Sequence, residues 1–289
     1  MRVPDIRPRR SALYLPASNP RALDKARTLP CDVVILDLED AVAPEAKEMA
    51  RAQAVEAVRA GGFGRRELVV RVNGLETPWG PDDLRVVAEA APDAVLVPKV
   101  NDGGDIATCQ ALIAGAPEHM RLWAMIETAR SLFRLDAIAA ASANSRLSMF
   151  VLGTNDLAKE MGATLTKARL PFVGALGLAV AAARAYGLGI LDGVFNGLED
   201  EAGLVEQCRQ GVEFGFDGKT LIHPRQIDPC NAAFSPSEDQ IGWAETILAA
   251  FKLPENAGKG AIRVDGRMVE RLHLVAARRT LAIRDAIAE

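Results

Sequence analysis

Histidine is scarce in this chain, with three in 289 residues, and cysteine is nearly as rare, with four. So few imidazoles argue against a histidine-rich zinc site. Cys31, Cys109, Cys208 and Cys230 are scattered without CxxC spacing, which argues against a zinc ribbon and fits a reducing cytosol. Cys208 falls on an apolar helical stripe with Leu204, Val205 and Val212 and reads as core. An excess of positive charge is also missing. The net charge is −4 and no block of like charge forms an arm, so nothing points to nucleic acid.

Long hydrophobic runs are absent too. The longest uncharged stretch, Leu170 to Ala183, is broken by Pro171, Gly174 and Gly177 and falls short of the roughly 20 residues that span a bilayer. It reads as a buried helix, with no membrane partner. The basic start, MRVPDIRPRR, lacks the apolar segment of a signal peptide and the serine-rich character of a transit peptide, so a cytoplasmic location is expected. Familiar fingerprints are missing as well. Gly187-Leu188-Gly189 continues as Ile190-Leu191-Asp192, without the dinucleotide-binding glycine. Gly218-Lys219-Thr220 imitates a P-loop end, but Glu213 stands where its leading glycine should be. No GxSxG supports a serine hydrolase.

What is present is an alternation of aliphatic runs and amphipathic segments. Strand-like runs lie at Ala12 to Leu15, Asp32 to Leu38, Glu67 to Val72 and Asp93 to Val97, then at Arg121 to Ile126, Leu147 to Leu152, Leu188 to Val194 and Phe216 to Ile222. Continuous aliphatic runs mark strands covered on both faces, as in a parallel sheet. Between them lie helical patterns such as Pro44 to Ala60, with Met49, Ala50, Ala54, Ala57 and Val58 on one face. Eight strand–helix units in a chain of this length predict an α/β fold, a (β/α)8 TIM barrel, for which about 250 residues is typical. A barrel domain over residues 1–235 is expected, followed by a C-terminal helical extension, 236–289. That extension should hold one helix, a glycine-rich loop and a last helix from about Met268, forming a lid or an inter-subunit arm.

Charged side chains follow several of these runs. Glu39, Asp40, Arg71, Lys99, Glu127, Asp156 and Lys219 fall at or just past strand ends, so one barrel mouth should carry them. Glu127 and Asp156 come from adjacent strands, a geometry for two carboxylates to hold one Mg2+ while leaving positions for water and substrate oxygens. Gly153, Thr154, Asn155 and Asp156 form a small-residue turn into a helix, either a cradle of N–H groups for a carboxylate or an ordinary capped turn. Arg71 would bind a carboxylate or oxyanion, or else pair with Glu39 or Asp40. A Schiff base on Lys99 requires a depressed lysine pKa, which neighbouring carboxylates oppose. His223, in LIHP, reads as a hydrogen-bonded barrel-end residue. Arg10 and Lys25 are candidates for meeting phosphates or for structural pairs.

An ordered set of segments then stands out: RRSALYLPAS, VVILDLEDAVAPEAKEMAR, VVRVNGLET, VLVPKV, AMIET, VLGTNDLAKEMG, GFDGKTLIHPRQI, FSPS and VDGRMVE. Together they resemble the citrate lyase β-subunit-like enzymes of the HpcH/HpaI aldolase superfamily, which include malyl-CoA and citramalyl-CoA lyases and malyl-CoA thioesterases. The resemblance implies a (β/α)8 barrel, Mg2+, a CoA-thioester substrate and a homo-oligomer, trimer or hexamer. By matching motif it makes Glu127 and Asp156 the metal ligands, with Glu39 and Asp40 supporting the metal and its waters. Arg71 would bind the substrate carbonyl oxygen, and Gly153, Thr154 and Asn155 the keto-acid carboxylate. In the lyases the tail motif carries an aspartate, supplied by a neighbouring subunit, as acid or base. Here Glu270 stands in its place, in Gly266-Arg267-Met268-Val269-Glu270, and the following proline is absent.

The expected activity is Mg2+-dependent carbon–carbon cleavage of a 3-hydroxy-dicarboxyl-CoA thioester to an acyl-CoA and a 2-oxo acid. The alternative is malyl-CoA thioester hydrolysis in the same site, since an added methylene at position 270 can redirect a proton or a water. A metal-dependent aldolase on free 2-oxo acids and a subunit of a citrate lyase complex are the remaining readings.

Overall fold

The computed structural model describes residues 7–288, so most of the basic start, residues 1–6, lies outside the described residues. Two compact units are present, Arg9–Phe234 and a second from Ser235 onward.

The first unit is a closed barrel of eight parallel strands in sequential order. They are β1 (Ser11–Pro16), β2 (Val33–Asp37), β3 (Glu67–Arg71), β4 (Ala94–Val97), β5 (Arg121–Ile126), β6 (Leu147–Leu152), β7 (Gly189–Asp192) and β8 (Gly218–Leu221). Seven of the predicted runs contain their strands, and β1 extends one residue beyond its predicted run, Ala12 to Leu15, at each end. The helices of this unit are α1 (Pro20–Ala26), α2 (Lys47–Ala60), α3 (Gly80–Ala90), α4 (Gly103–Leu112), α5 (Ala129–Leu132), α6 (Leu135–Ala140), α7 (Thr154–Met161), α8 (Val173–Ala185), α9 (Glu201–Phe214) and α10 (Ile227–Phe234).

Side chains alternate between two cores. Val33, Ile35, Val69, Leu96, Trp123, Met125, Met149 and Val151 fill the barrel interior. Val34, Leu36, Val70, Phe150, Ile190 and Leu221 pack between strands and helices. The two-residue period therefore assigns a face to every polar side chain at a strand end. Asp37, Arg71 and Glu127 continue the inward stripes of β2, β3 and β5. Asp192 and Lys219 share their parity with the outward Ile190 and Leu221. At the opposite, N-terminal end, Arg9 pairs with Glu67 and lies 5.7 Å over the Trp123 ring, while Arg10 pairs with Asp32 at 2.8 Å. Arg10 thus belongs to the end of the barrel away from the expected mouth.

Two helical expectations are corrected. Pro44–Ala46 is a 3-10 turn, and α2 buries Lys47, Ala50, Ala54, Val55 and Ala57 while Met49 faces outward. The uncharged stretch after Leu170 is not buried all round: α8 hides Ala175, Leu176, Ala179, Val180 and Ala183 but leaves Leu178 61% exposed. All four cysteines are free and buried, Cys208 among the outer core as expected. No helix among the described residues is long and apolar enough to cross a membrane.

The second unit contains α11 (Glu238–Lys252), an antiparallel hairpin of β9 (Ala261–Val264) and β10 (Arg267–Glu270), and α12 (Arg271–Ala288). Ala244, Ile247, Ile262, Val264, Val269 and Ala277 form its core. The hairpin corrects the expectation of a helix from Met268. Asp265 and Gly266 both adopt positive φ, 46° and 79°, the conformation a two-residue Asp-Gly hairpin turn requires. The helix begins only after Glu270.

Candidate active site

The turn after β2 is wound around Asp37. Its carboxylate accepts the N–H groups of Glu39 and Ala41 at 2.9 and 3.1 Å, and Nε and Nη2 of Arg71 at 2.7 Å each. Lys47, from the start of α2, holds the same turn from its carbonyl side, donating to Leu38 O at 2.8 Å and Glu39 O at 2.6 Å. Arg71 Nη1 is left for the mouth, 2.8 Å from Glu39 Oε2 and 3.3 Å from Asp40 Oδ2, with the guanidinium 4.7 Å over the Tyr14 ring. The Glu39 approach is an ion pair outside hydrogen-bond geometry, because Glu39 Oε2 has no hydrogen-bond partner. Arg71 therefore meets both carboxylates named from sequence, but its firmest partner is Asp37, which the sequence reading passed over. Glu39 is half-buried and its pKa is pushed up to about 8; desolvation is the main cause, Arg71 opposes it, and Glu127 and Asp40 add to it. Asp40, 64% exposed at its side chain, is the solvent-facing member.

Glu127, just past β5, is fully buried. Its Oε1 accepts the Lys99 N–H at 2.8 Å, and Lys99 Nζ lies 3.4 Å from the same oxygen. Lys99 Nζ also lies 2.8 Å from Asp156 Oδ2, so one ammonium bridges the two carboxylates. The Lys99 backbone takes φ 55°, left-handed for a non-glycine residue, and that conformation brings its N–H to Glu127. Glu127 Oε2 has no hydrogen-bond partner. Gly153 makes this packing possible: a Cβ there would stand 2.3 Å from Glu127 Oε2. Burial raises the Glu127 pKa, opposed chiefly by Lys99. Burial lowers that of Lys99, but Glu127, Asp156 and Glu39 outweigh it and the net shift is upward. A raised lysine pKa is the wrong direction for a Schiff base, as the neighbouring carboxylates led us to expect.

The N-terminus of α7 lies beside this pair. The Gly153 N–H is committed to Ile126 O at 3.1 Å, so it is not available to a substrate carboxylate, contrary to the expectation for that residue. The N–H groups of Thr154, Asn155 and Asp156 occupy the first turn, where no earlier helical carbonyl reaches them, and no side chain caps the helix. Thr154 is buried, whereas Asn155 exchanges side-chain hydrogen bonds of 3.2 and 2.8 Å with Asn196.

Lys219 does not join the mouth. It faces outward from β8 and its fully buried Nζ lies 2.9 Å from Asp192 Oδ2, with Gly193 O at 2.5 Å. Arg169, in a left-handed conformation with φ 52°, donates Nη1 to both oxygens of Asp192 at 2.6 and 2.8 Å. His223 Nδ1 accepts the Arg225 N–H at 3.1 Å, the local role expected of it. Glu270, at the end of β10 in the second unit, donates its N–H to His273 Nδ1 at 2.9 Å, and its carboxylate makes no ion pair among the described residues.

No three His, Cys, Asp or Glu side chains among the described residues form a metal cage. Glu127 and Asp156 nevertheless match what Mg2+ takes, since that ion is usually held by one or two carboxylates with water and substrate completing the octahedron. The bridging ammonium marks the point between them as one that favours a cation, and the unpartnered Glu127 Oε2 is a spare donor.

Comparison with known proteins agrees with this architecture. Residues 10–224 match the family model described as HpcH/HpaI aldolase/citrate lyase. A (3S)-malyl-CoA thioesterase from Cereibacter sphaeroides is 49% identical over 281 residues, covering 97% of this chain and 96% of the relative. An L-malyl-CoA/beta-methylmalyl-CoA lyase from the same species is 34% identical, with 92% of each chain covered. Among solved structures, the protein CitE from Mycobacterium tuberculosis, in complex with magnesium, acetoacetate and coenzyme A, superposes with a TM-score of 0.75 at 30% identity, covering 96% of this chain and 98% of that one. The chain is therefore an enzyme of the HpcH/HpaI aldolase/citrate lyase family.

Proposed function

We propose that this enzyme hydrolyses a 3-hydroxy-dicarboxyl-CoA thioester of the (3S)-malyl-CoA type, releasing the free dicarboxylate and CoA, with Mg2+ as cofactor. The observation that carries this reading is the 49% identity with malyl-CoA thioesterases across nearly the whole chain, against 34% with the lyase. Glu270, in the tail position where the lyase pattern has an aspartate, points the same way. The carbon–carbon lyase we expected first becomes the second reading, favoured by full-length similarity to the malyl-CoA lyase.

Glu127 and Asp156 would hold the metal, which supplies Lewis-acid polarisation of substrate oxygens when bound. Glu39 and Asp40 border that position and would hold its waters. Arg71, fixed in place by Asp37, presents Nη1 to a substrate carbonyl oxygen that gains negative charge. The free amides of Thr154, Asn155 and Asp156 suit the substrate's distal carboxylate. Glu270 takes a proton from water as its oxygen attacks the thioester carbon. The C–S bond then breaks, and the proton passes to the departing sulfur. The tail unit serves as a lid or inter-subunit arm in a cytoplasmic homo-oligomer, trimer or hexamer, with neither nucleic acid nor membrane as partner.

The test is to incubate the purified enzyme with (3S)-malyl-CoA and Mg2+ while following thiol release and 2-oxo acid together. Stoichiometric free CoA without 2-oxo acid is expected; 2-oxo acid with acetyl-CoA would establish the lyase instead.

A further inference from the structure

We propose that Lys99 is the resident counter-cation of this site, and that a divalent metal binds by displacing its ammonium from between Glu127 and Asp156. The inference rests on the metal reading above. Three contacts from one residue converge on this pair: the Lys99 N–H on Glu127 Oε1 at 2.8 Å, and Nζ on the same oxygen at 3.4 Å and on Asp156 Oδ2 at 2.8 Å. The backbone contact depends on the left-handed φ of 55°, so Glu127 stays oriented by the main chain whatever the side chain does.

Between Arg71 and Lys99, the cations paired with mouth carboxylates, Lys99 is the one able to leave. Arg71 is buried, doubly bonded to Asp37 and stacked on Tyr14. Lys99 retains 27% side-chain exposure and has a flexible four-carbon stem. A divalent ion between these carboxylates and an ammonium a few ångströms away repel strongly in a poorly solvated site. Binding is thus an exchange of cations, which keeps buried Glu127 and half-buried Asp156 compensated before the metal arrives and weakens apparent metal affinity by the cost of expelling Lys99.

Titration calorimetry with MgCl2 and thermal unfolding with and without Mg2+ should be run on wild type, Lys99→Met and Lys99→Arg. Lys99→Met is expected to bind Mg2+ about ten-fold more tightly, because no competing cation must leave. Its metal-free Tm should fall and its Mg2+-induced Tm rise should exceed that of wild type, while Lys99→Arg keeps weak binding. A purely structural role would weaken Mg2+ binding in Lys99→Met and lower Tm in both conditions, which would overturn the exchange. An independent readout needs no variant: amine-acylation of Lys99 in wild type, followed by mass spectrometry, should accelerate when Mg2+ saturates the site. Unchanged labelling overturns the exchange and leaves the metal reading standing. No Mg2+ binding by wild type at millimolar concentration overturns both.

Discussion

Arg71 and Asp37 share two parallel hydrogen bonds of 2.7 Å, and this pair fixes the guanidinium whose remaining nitrogen faces Glu39 and Asp40. Asp37→Asn leaves the buried cation with a neutral partner on its firmest side. Breaking such a pair costs about 3–5 kcal/mol, so urea unfolding should show a loss of that order. Arg71→Lys keeps the charge but not the fork; kcat should fall about a hundred-fold, as when one oxyanion donor is lost.

Gly153 is required by proximity, since a methyl group there would stand 2.3 Å from Glu127 Oε2 and 2.5 Å from its Cβ. Gly153→Ala should displace Glu127, weaken Mg2+ binding measured by calorimetry and lower turnover, at a stability cost of about 1–3 kcal/mol from overpacking. Mg2+ affinity and turnover at wild-type levels would remove Gly153 from the account.

Asp192 contributes acid-sensitive stability to the barrel. Burial alone would raise its pKa, yet Lys219 and Arg169 outweigh burial and hold it below the ordinary carboxylate value. A depressed folded pKa stabilises above the unfolded value, near 3.9, and that contribution is lost as pH falls through the lower folded one. Unfolding free energy measured from pH 6 downward should therefore decline below about pH 4 by a component that Asp192→Asn lacks. The substitution itself should cost about 3–5 kcal/mol at neutral pH, because two buried cations lose their anion.

Glu270 is the proposed proton acceptor for water. Glu270→Gln should lower hydrolysis about 10²- to 10⁴-fold with little change in Tm, because its carboxylate pairs with nothing among the described residues. Steady-state kinetics on Glu270→Asp add a second check: a shift of products toward a 2-oxo acid and acyl-CoA is expected if the methylene selects the reaction.

All eight strands are legible because fully buried parallel strands are written as aliphatic runs, and counting to or just past their ends puts Glu127, Asp156 and Arg71 at one mouth. Proximity to a strand end without parity omits Asp37 from the mouth and wrongly includes Lys219. Counting by twos from Val33 and Ile35 sends Asp37 into the barrel mouth, and counting back from Leu221 sends Lys219 out toward α9. The Lys99 bridge and the commitment of the Gly153 N–H depend on one backbone torsion and one inter-strand bond, neither of which has a sequence pattern. The tail hairpin did have one: Asp265-Gly266 between short apolar stretches is a turn signal, overlooked in favour of the helix that follows.

Hydrolysis and carbon–carbon cleavage part at a single atom, the oxygen that water delivers. Turnover of (3S)-malyl-CoA with Mg2+ in ¹⁸O-labelled water, with products resolved by mass spectrometry, tests this directly. The account predicts malate with one ¹⁸O in the carboxylate that was the thioester, alongside free CoA. A 2-oxo acid with acetyl-CoA, and no labelled malate, would contradict it.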